Sequence, residues 1–189
     1  MLLTVKTRQK YLKYLGFYDG AIDGKVGPKT KLAYRALQER YFTRKEDIDG
    51  YYGKDTDILL RNAYNVEYYT KNFRLEEFRC KCKDKCTGYP VVLDVQFLKN
   101  LQALRDDFGS INITSGLRCK AHNAAVGGST TSRHPQGKAA DIKCAGCATE
   151  GGRRAVMNAW KMLPKFRYTY CNINGNFPNM GNCVHVDVK

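Results

Sequence analysis

Cys183-Val184-His185-Val186-Asp187-Val188-Lys189 alternates strictly between two kinds of side chain. In an extended strand successive side chains point to opposite faces, so Val184, Val186 and Val188 share one face and Cys183, His185 and Asp187 the other. A face made wholly of valine belongs in a core. The opposite face then carries an imidazole beside a carboxylate, which is poor for packing and useful for chemistry. Taken alone, His185 reads equally well as a sheet histidine satisfied by a hydrogen bond.

A second segment, Ser132-Arg133-His134-Pro135-Gln136-Gly137-Lys138-Ala139-Ala140-Asp141-Ile142, changes that balance. Asp141 lies near the start of a strand, and His134 precedes it by seven residues across a turn bearing Pro and Gly. Such a turn can fold back so that both side chains meet. Two imidazoles and one carboxylate suit Zn²⁺, and three protein ligands leave a fourth position for water, as catalytic zinc requires.

Around these segments the pattern is mixed. Val91 to Phe108 carries Val92, Val95, Leu98, Leu101 and Leu104 at helical spacing, and Glu150 to Leu163 reads as a helix stopped by Pro164. Stretches 110–117, 139–144, 167–173 and 183–188 read as strands. The expected fold class is α+β, with a small, mostly antiparallel sheet in this part of the chain.

Residues 5–64 contain a repeat. Asp23-Gly24-Lys25-Val26-Gly27-Pro28-Lys29-Thr30 and Asp49-Gly50-Tyr51-Tyr52-Gly53-Lys54-Asp55-Thr56 share D-G-x-x-G-x-x-T. Each Asp-Gly sets a turn, the second Gly is expected to take an unusual dihedral, and the Thr enters the first turn of a helix. Val5, Leu12 and Leu15 mark an earlier helix that stops at Gly16. Three short amphipathic helices make a small bundle. Its boundary is expected near residue 68, with a second domain over 72–189 and a connector at 66–72 too poor in Gly, Ser and Pro to be a floppy tether.

The bundle resembles the type 1 peptidoglycan-binding domain, through Leu-Gly-Phe-Tyr-Asp-Gly (residues 15–20), the two turns and the Ala-Leu-Gln of its middle helix. This implies bacterial peptidoglycan as a partner; Tyr18, Tyr51 and Tyr52 beside the turns are candidates for stacking on sugar rings. The second domain resembles the zinc D-alanyl-D-alanine carboxypeptidase family, which shares its fold with the hedgehog signalling domain. The likeness runs from Phe73-Arg74-Leu75-Glu76-Glu77-Phe78-Arg79-Cys80-Lys81-Cys82, through Thr114-Ser115-Gly116-Leu117-Arg118-Cys119 and His122 to Gly128, to S-x-H-x-x-G-x-A-x-D and the H-V-D of the last strand. It implies Zn²⁺ as cofactor, with His134, Asp141 and His185 as ligands. Arg118 then stands near the metal, to neutralise an oxyanion or a substrate carboxylate, and Ser132 is a candidate substrate contact or turn cap. Some relatives carry an acidic residue or a histidine two or three positions before the last ligand. Here Cys183 and Asn182 stand there, so Asp187 is the candidate general base, with Glu150 behind it and a role in steering His185 as the alternative for Asp187. His122 is not expected to bind metal.

The net charge is +14, with +4 on residues 1–70 and +10 on the rest. Such a balance favours polyanions without choosing among them. No groove motif combining stacked aromatics with basic residues is recognisable, so nucleic acid is not an expected partner. No apolar run is long enough to span a membrane, and the first residues are too short an apolar stretch for a signal peptide. The expectation is a monomer made in the cytoplasm that reaches the wall by another route, as a phage endolysin does. All eight cysteines lie from Cys80 onward. Cys80-x-Cys82-x3-Cys86 and Cys144-x2-Cys147 have metal-like spacing, although C-x-C is not the usual zinc-finger pair; a structural zinc, disulfides and reduced thiols all remain open. Within the resemblance, carboxypeptidase and endopeptidase activity compete, and a non-catalytic wall binder with a structural metal is a third reading.

Overall fold

A computed structural model describes all residues, 1–189, as two packed units. The first is a bundle of α1 (Val5–Tyr14), α2 (Pro28–Tyr41) and α3 (Lys54–Tyr69). Its two repeat turns are built alike. The buried Gln9 side chain accepts from the Gly24 amide at 2.8 Å and donates to Asp23 Oδ1 at 2.8 Å and the Lys25 carbonyl at 3.0 Å. Gln38 repeats this on Gly50, Asp49 and Tyr51, at 2.8, 2.9 and 3.0 Å. A buried amide that satisfies three backbone or side-chain partners locks each turn. The unusual dihedral falls on the first glycine of each motif, Gly24 (φ 78°) and Gly50 (φ 74°), and not on the second as its spacing suggested. Gly27 and Gly53 are extended residues that precede the helices. The amide of the first glycine donates to the glutamine oxygen in each turn, and glycine adopts the left-handed conformation there without a steric penalty.

The second unit carries α4 (Val95–Phe108), β1 (Ile111–Ser115), α5 (Lys120–Ala125), β2 (Ala139–Cys144), α6 (Glu150–Lys161), β3 (Phe166–Cys171) and β4 (Val184–Val188). The four strands form one antiparallel sheet in the order β1-β2-β4-β3. Thus the fold is α+β. α4 starts four residues later than its hydrophobic spacing suggested, because Asp94 caps it by accepting from the Phe97 amide at 3.0 Å. Val91 to Leu93 are instead held extended by a side chain from the first unit. Buried Asn62 of α3 donates to the Val91 carbonyl at 2.9 Å and accepts from the Leu93 amide at 2.7 Å.

One sheet face packs on α4 and α6. Val184, Val186 and Val188 join Ala140, Ile142, Ile111 and Ile113 there, under Trp160 and Phe97. The apolar core runs without a break from this layer into the bundle through Phe73, Phe78, Leu93 and Leu60. Polar ties reinforce it: Arg79 donates to the Tyr41 carbonyl at 2.6 Å, and Arg40 pairs with Glu76 at 2.6 Å. No helix is long and apolar enough to cross a membrane.

Replacing Asn62 by Ala would strand a buried amide and a partly buried carbonyl. The expected loss is about 1–3 kcal/mol in urea unfolding. A loss below about 0.5 kcal/mol, the range of neutral surface changes, would show that the clamp does not hold the units together.

Candidate metal centre

The antiparallel register of β2 with β4 sets Asp141 directly opposite His185, and β3 sets Tyr170 on the other side of the same histidine. His185 Nδ1 lies 2.9 Å from Asp141 Oδ1. His134 arrives from the short turn His134–Gln136 just before β2, with Nε2 3.4 Å from the same oxygen. The three ligating atoms all lie within 4.8 Å of one another. Two imidazole nitrogens and a carboxylate oxygen converging from three backbone segments match the donor set of a three-ligand zinc site.

Each of the three side chains is held from behind. His134 Nδ1 is 2.7 Å from the Gly116 carbonyl, an acceptor that requires the proton on Nδ1 and so turns the Nε2 lone pair towards the cluster. Gly116 is fixed by close approach: a Cβ there would meet Phe78 Cα at 2.7 Å. The ring of His185 stacks on Tyr170 at 4.7 Å. Its far nitrogen, Nε2, faces Asp187 Oδ2 at 3.3 Å. Arg118 donates to the second Asp141 oxygen at 2.6 Å and to Ser115 Oγ at 3.0 Å.

The cluster is sunk in the protein: His134 is 2% exposed and His185 6%. Burial lowers the pKa of His134 and keeps it neutral, the form that binds metal. Burial by itself would lower His185 too, but its hydrogen bonds to Asp141 and Asp187 outweigh that and raise it. Burial would raise Asp141, yet the bonds from the two histidines hold its carboxyl well below the usual range. The site is therefore stocked with an ionised acceptor under crowded donors, an arrangement that a dication completes.

Above the cluster opens a cleft of about 750 Å³, whose walls include Arg118, Ser132, Arg133, Tyr170 and Phe177. Ser132, expected as a substrate contact or a turn cap, lies on this wall. Asp187, expected as the general base or as a carboxylate steering His185, sits beside that histidine. It is 2% exposed, accepts from the Tyr168 amide at 2.8 Å and from Arg167 at 2.9 Å, and presents its remaining reach to the back of His185. Both of its oxygens are engaged, and its carboxylate reaches the cleft wall beside Arg167. Glu150, the second candidate, lies at the surface on α6, paired with Arg154 at 2.8 Å and away from the cleft wall. His122 sits on α5, outside the three-ligand group. Sequence reasoning missed Tyr170, Arg167 and the Gly116 carbonyl; alternation in β3 hints at the tyrosine, but nothing local announces a backbone carbonyl as a ligand's partner.

A buried His/Asp/His cluster under an open cleft has the donor set of the metal-dependent hydrolase class. Residues 71–187, more than half of the chain, match the family model for peptidase M15, and the chain belongs to that family. Residues 3–56 match a model described as "Putative peptidoglycan binding domain". Among curated proteins, the zinc D-Ala-D-Ala carboxypeptidase of Streptomyces albus G is 31% identical over 130 residues, which is 65% of this chain and 49% of that protein. The chain therefore spans about half the length of the relative it matches.

Substituting Asp187 by Asn keeps the shape but weakens the acceptor for His185. Metal affinity is expected to fall about 10–100-fold in competition with a chromophoric chelator. An unchanged affinity would remove Asp187 from the positioning role.

Proposed function

We propose that the chain is a zinc peptidase that hydrolyses peptide bonds of bacterial peptidoglycan, with His134, Asp141 and His185 as the metal ligands. The single observation that carries this reading is the meeting of those three side chains at the floor of an open cleft, beside Arg118. The family match and the wall-binding match at the other end of the chain support the same substrate.

Zn²⁺ at such a site supplies Lewis acidity, making water a nucleophile near neutral pH and polarising a carbonyl. The protein does the rest. His134 and His185 offer their nitrogens in fixed tautomers because Gly116 and Asp187 take up the opposite ring positions. Asp141 offers Oδ1 while Arg118 occupies Oδ2, so one carboxylate joins the ligand set to a cationic donor. Arg118 keeps further guanidinium donors for the cleft, where they suit the oxyanion of a tetrahedral adduct or the terminal carboxylate of a stem peptide. Ser132 supplies a hydroxyl on the same wall, and Tyr170 and Phe177 give it apolar faces.

Cleavage of the D-Ala-D-Ala type is the favoured specificity, in keeping with the named relative. An L-Ala–D-Glu or cross-link endopeptidase would use the same residues, and the exposed cleft leaves room for a longer chain. The bundle serves as the wall anchor and raises the local substrate concentration. Its sugar-stacking candidates divide. Tyr18 is buried with its hydroxyl donating to the Ala21 carbonyl, and Tyr52 lies under the Arg8 guanidinium, while Tyr51 is exposed. A lytic role after release from a producing cell, as in phage endolysins, fits this pairing of anchor and peptidase.

Digestion of purified peptidoglycan tests the reading. Released D-alanine would mark the carboxypeptidase, and new amino termini within the stem would mark the endopeptidase. A chelator should abolish either. Arg118→Ala should keep the metal and lose about 10²–10³ in kcat, the scale of one oxyanion donor. A zinc-loaded protein that releases neither product would overturn the proposal.

A further inference from the structure

A second group of metal-capable side chains lies away from the cleft. Cys80 and Cys82 follow the short helix Leu75–Phe78, Cys86 closes the next turn, and Cys119 caps the start of α5. Their four sulfurs all lie within 4.8 Å of one another. The Cys82 and Cys86 sulfurs are 3.4 Å apart, close to the spacing of about 3.8 Å that zinc–sulfur bonds of about 2.3 Å impose on a tetrahedron. Cys80 and Cys82 are buried and the other two half-buried, so the group is sequestered without being sealed.

We propose that Cys80, Cys82, Cys86 and Cys119 bind a structural Zn²⁺ that anchors the turn carrying Arg118 and Gly116. Three features support it independently. The chain reverses between Cys82 and Cys86 through two successive non-glycine residues in the left-handed region, Lys83 (φ 52°) and Asp84 (φ 62°). That conformation is uncommon away from glycine, and here it brings two sulfurs face to face. Backbone amides are aimed at the sulfurs: Cys119 N–H donates to Cys80 Sγ at 3.3 Å, Gly88 N–H to Cys86 Sγ at 3.4 Å and His122 N–H to Cys119 Sγ at 3.4 Å. Such donors stabilise thiolates, which are the metal-binding form of cysteine. Lastly, Lys81, Lys83 and Lys85 alternate with the cysteines and offset the net negative charge of four thiolates around one dication.

The location gives the ion its task. Cys119 is the next residue after Arg118, and Leu117 N–H donates to the Phe78 carbonyl at 2.8 Å, so the turn after β1 lies against the cysteine loop. The same loop reaches the bundle, where Thr43 donates to Asp84 at 2.7 Å and accepts from Arg79 at 2.7 Å. One ion would therefore tie together segments distant in sequence: the cysteine loop, the Arg118 turn and, through its neighbours, the helical bundle. Four protein ligands leave no open position, as suits a structural and not a catalytic site. The proposal stands on the sulfur geometry and does not depend on the metal centre under the cleft.

Metal content of the full-length protein, purified in reducing buffer with Zn²⁺ and desalted, decides the matter. The expected result is two zinc ions per chain, falling to one in Cys82→Ser/Cys86→Ser and to one in His134→Ala. Because a cysteine variant can unfold, Co²⁺ is exchanged into the wild type and into His134→Ala. Both should show the intense sulfur-to-cobalt charge-transfer absorption of a tetrathiolate site. One ion per chain, removed by His134→Ala, would overturn the inference while leaving the peptidase reading intact. One ion that survives His134→Ala with the sulfur bands present would do the reverse. Disulfides joining these four cysteines in a non-reduced peptide map would also overturn it.

Discussion

The site depends on one cross-strand pair. β4 is an inner strand, and its register with β2 puts the Asp141 carboxylate against the His185 imidazole on the sheet face opposite the valine core. A slip of one residue would carry Asp141 and His185 to opposite faces and turn valines towards the cleft. That slip is blocked by the hydrophobic layer itself, since Val184, Val186 and Val188 are fully buried under α4 and α6. The energy that holds the sheet thus also holds the ligands. His134 needs only a turn of a few residues to reach them, because its segment runs directly into β2.

The cluster also shows why buried polar groups come in complete sets. Asp141, His134, His185, Asp187 and Arg118 would each be costly to bury without a partner. Here every one has a partner on its far side: Arg118 for Asp141, a carbonyl for His134, a carboxylate for His185, a backbone amide and Arg167 for Asp187, and Ser115 for Arg118. The outer partners fix the direction of the inner ones, and the inner ones converge on a single point. Rigidity of this kind matters to a hydrolytic site, because donors already aimed at the developing charge need not reorganise during the reaction.

The two units are joined as one body. The core passes from the bundle into the sheet layer, and Asn62 of the bundle sets the conformation of the segment leading into α4. Whatever the bundle binds, it therefore carries the cleft of the other unit in a fixed orientation. The tetracysteine loop stands at the same junction, touching Thr43 on one side and the Arg118 turn on the other.

Much of this was legible in the chain. The D-G-x-x-G-x-x-T turns announce the bundle, the valine alternation announces the last strand and its buried face, and the two short segments bearing His134, Asp141 and His185 name their residues. These are local features, set by turn sterics and by periodicity, which act within a few residues. The sequence alone did not decide what lies behind each ligand. The strand face placed Asp187 beside His185; only the pairing with β3 brings the Tyr168 amide and Arg167 onto its carboxylate. In the same way Cys119, far along the chain from Cys80, Cys82 and Cys86, joins them only when β1 returns its end to the start of the domain. Contacts between distant segments depend on register and packing of the whole chain, and no local pattern of residues encodes them.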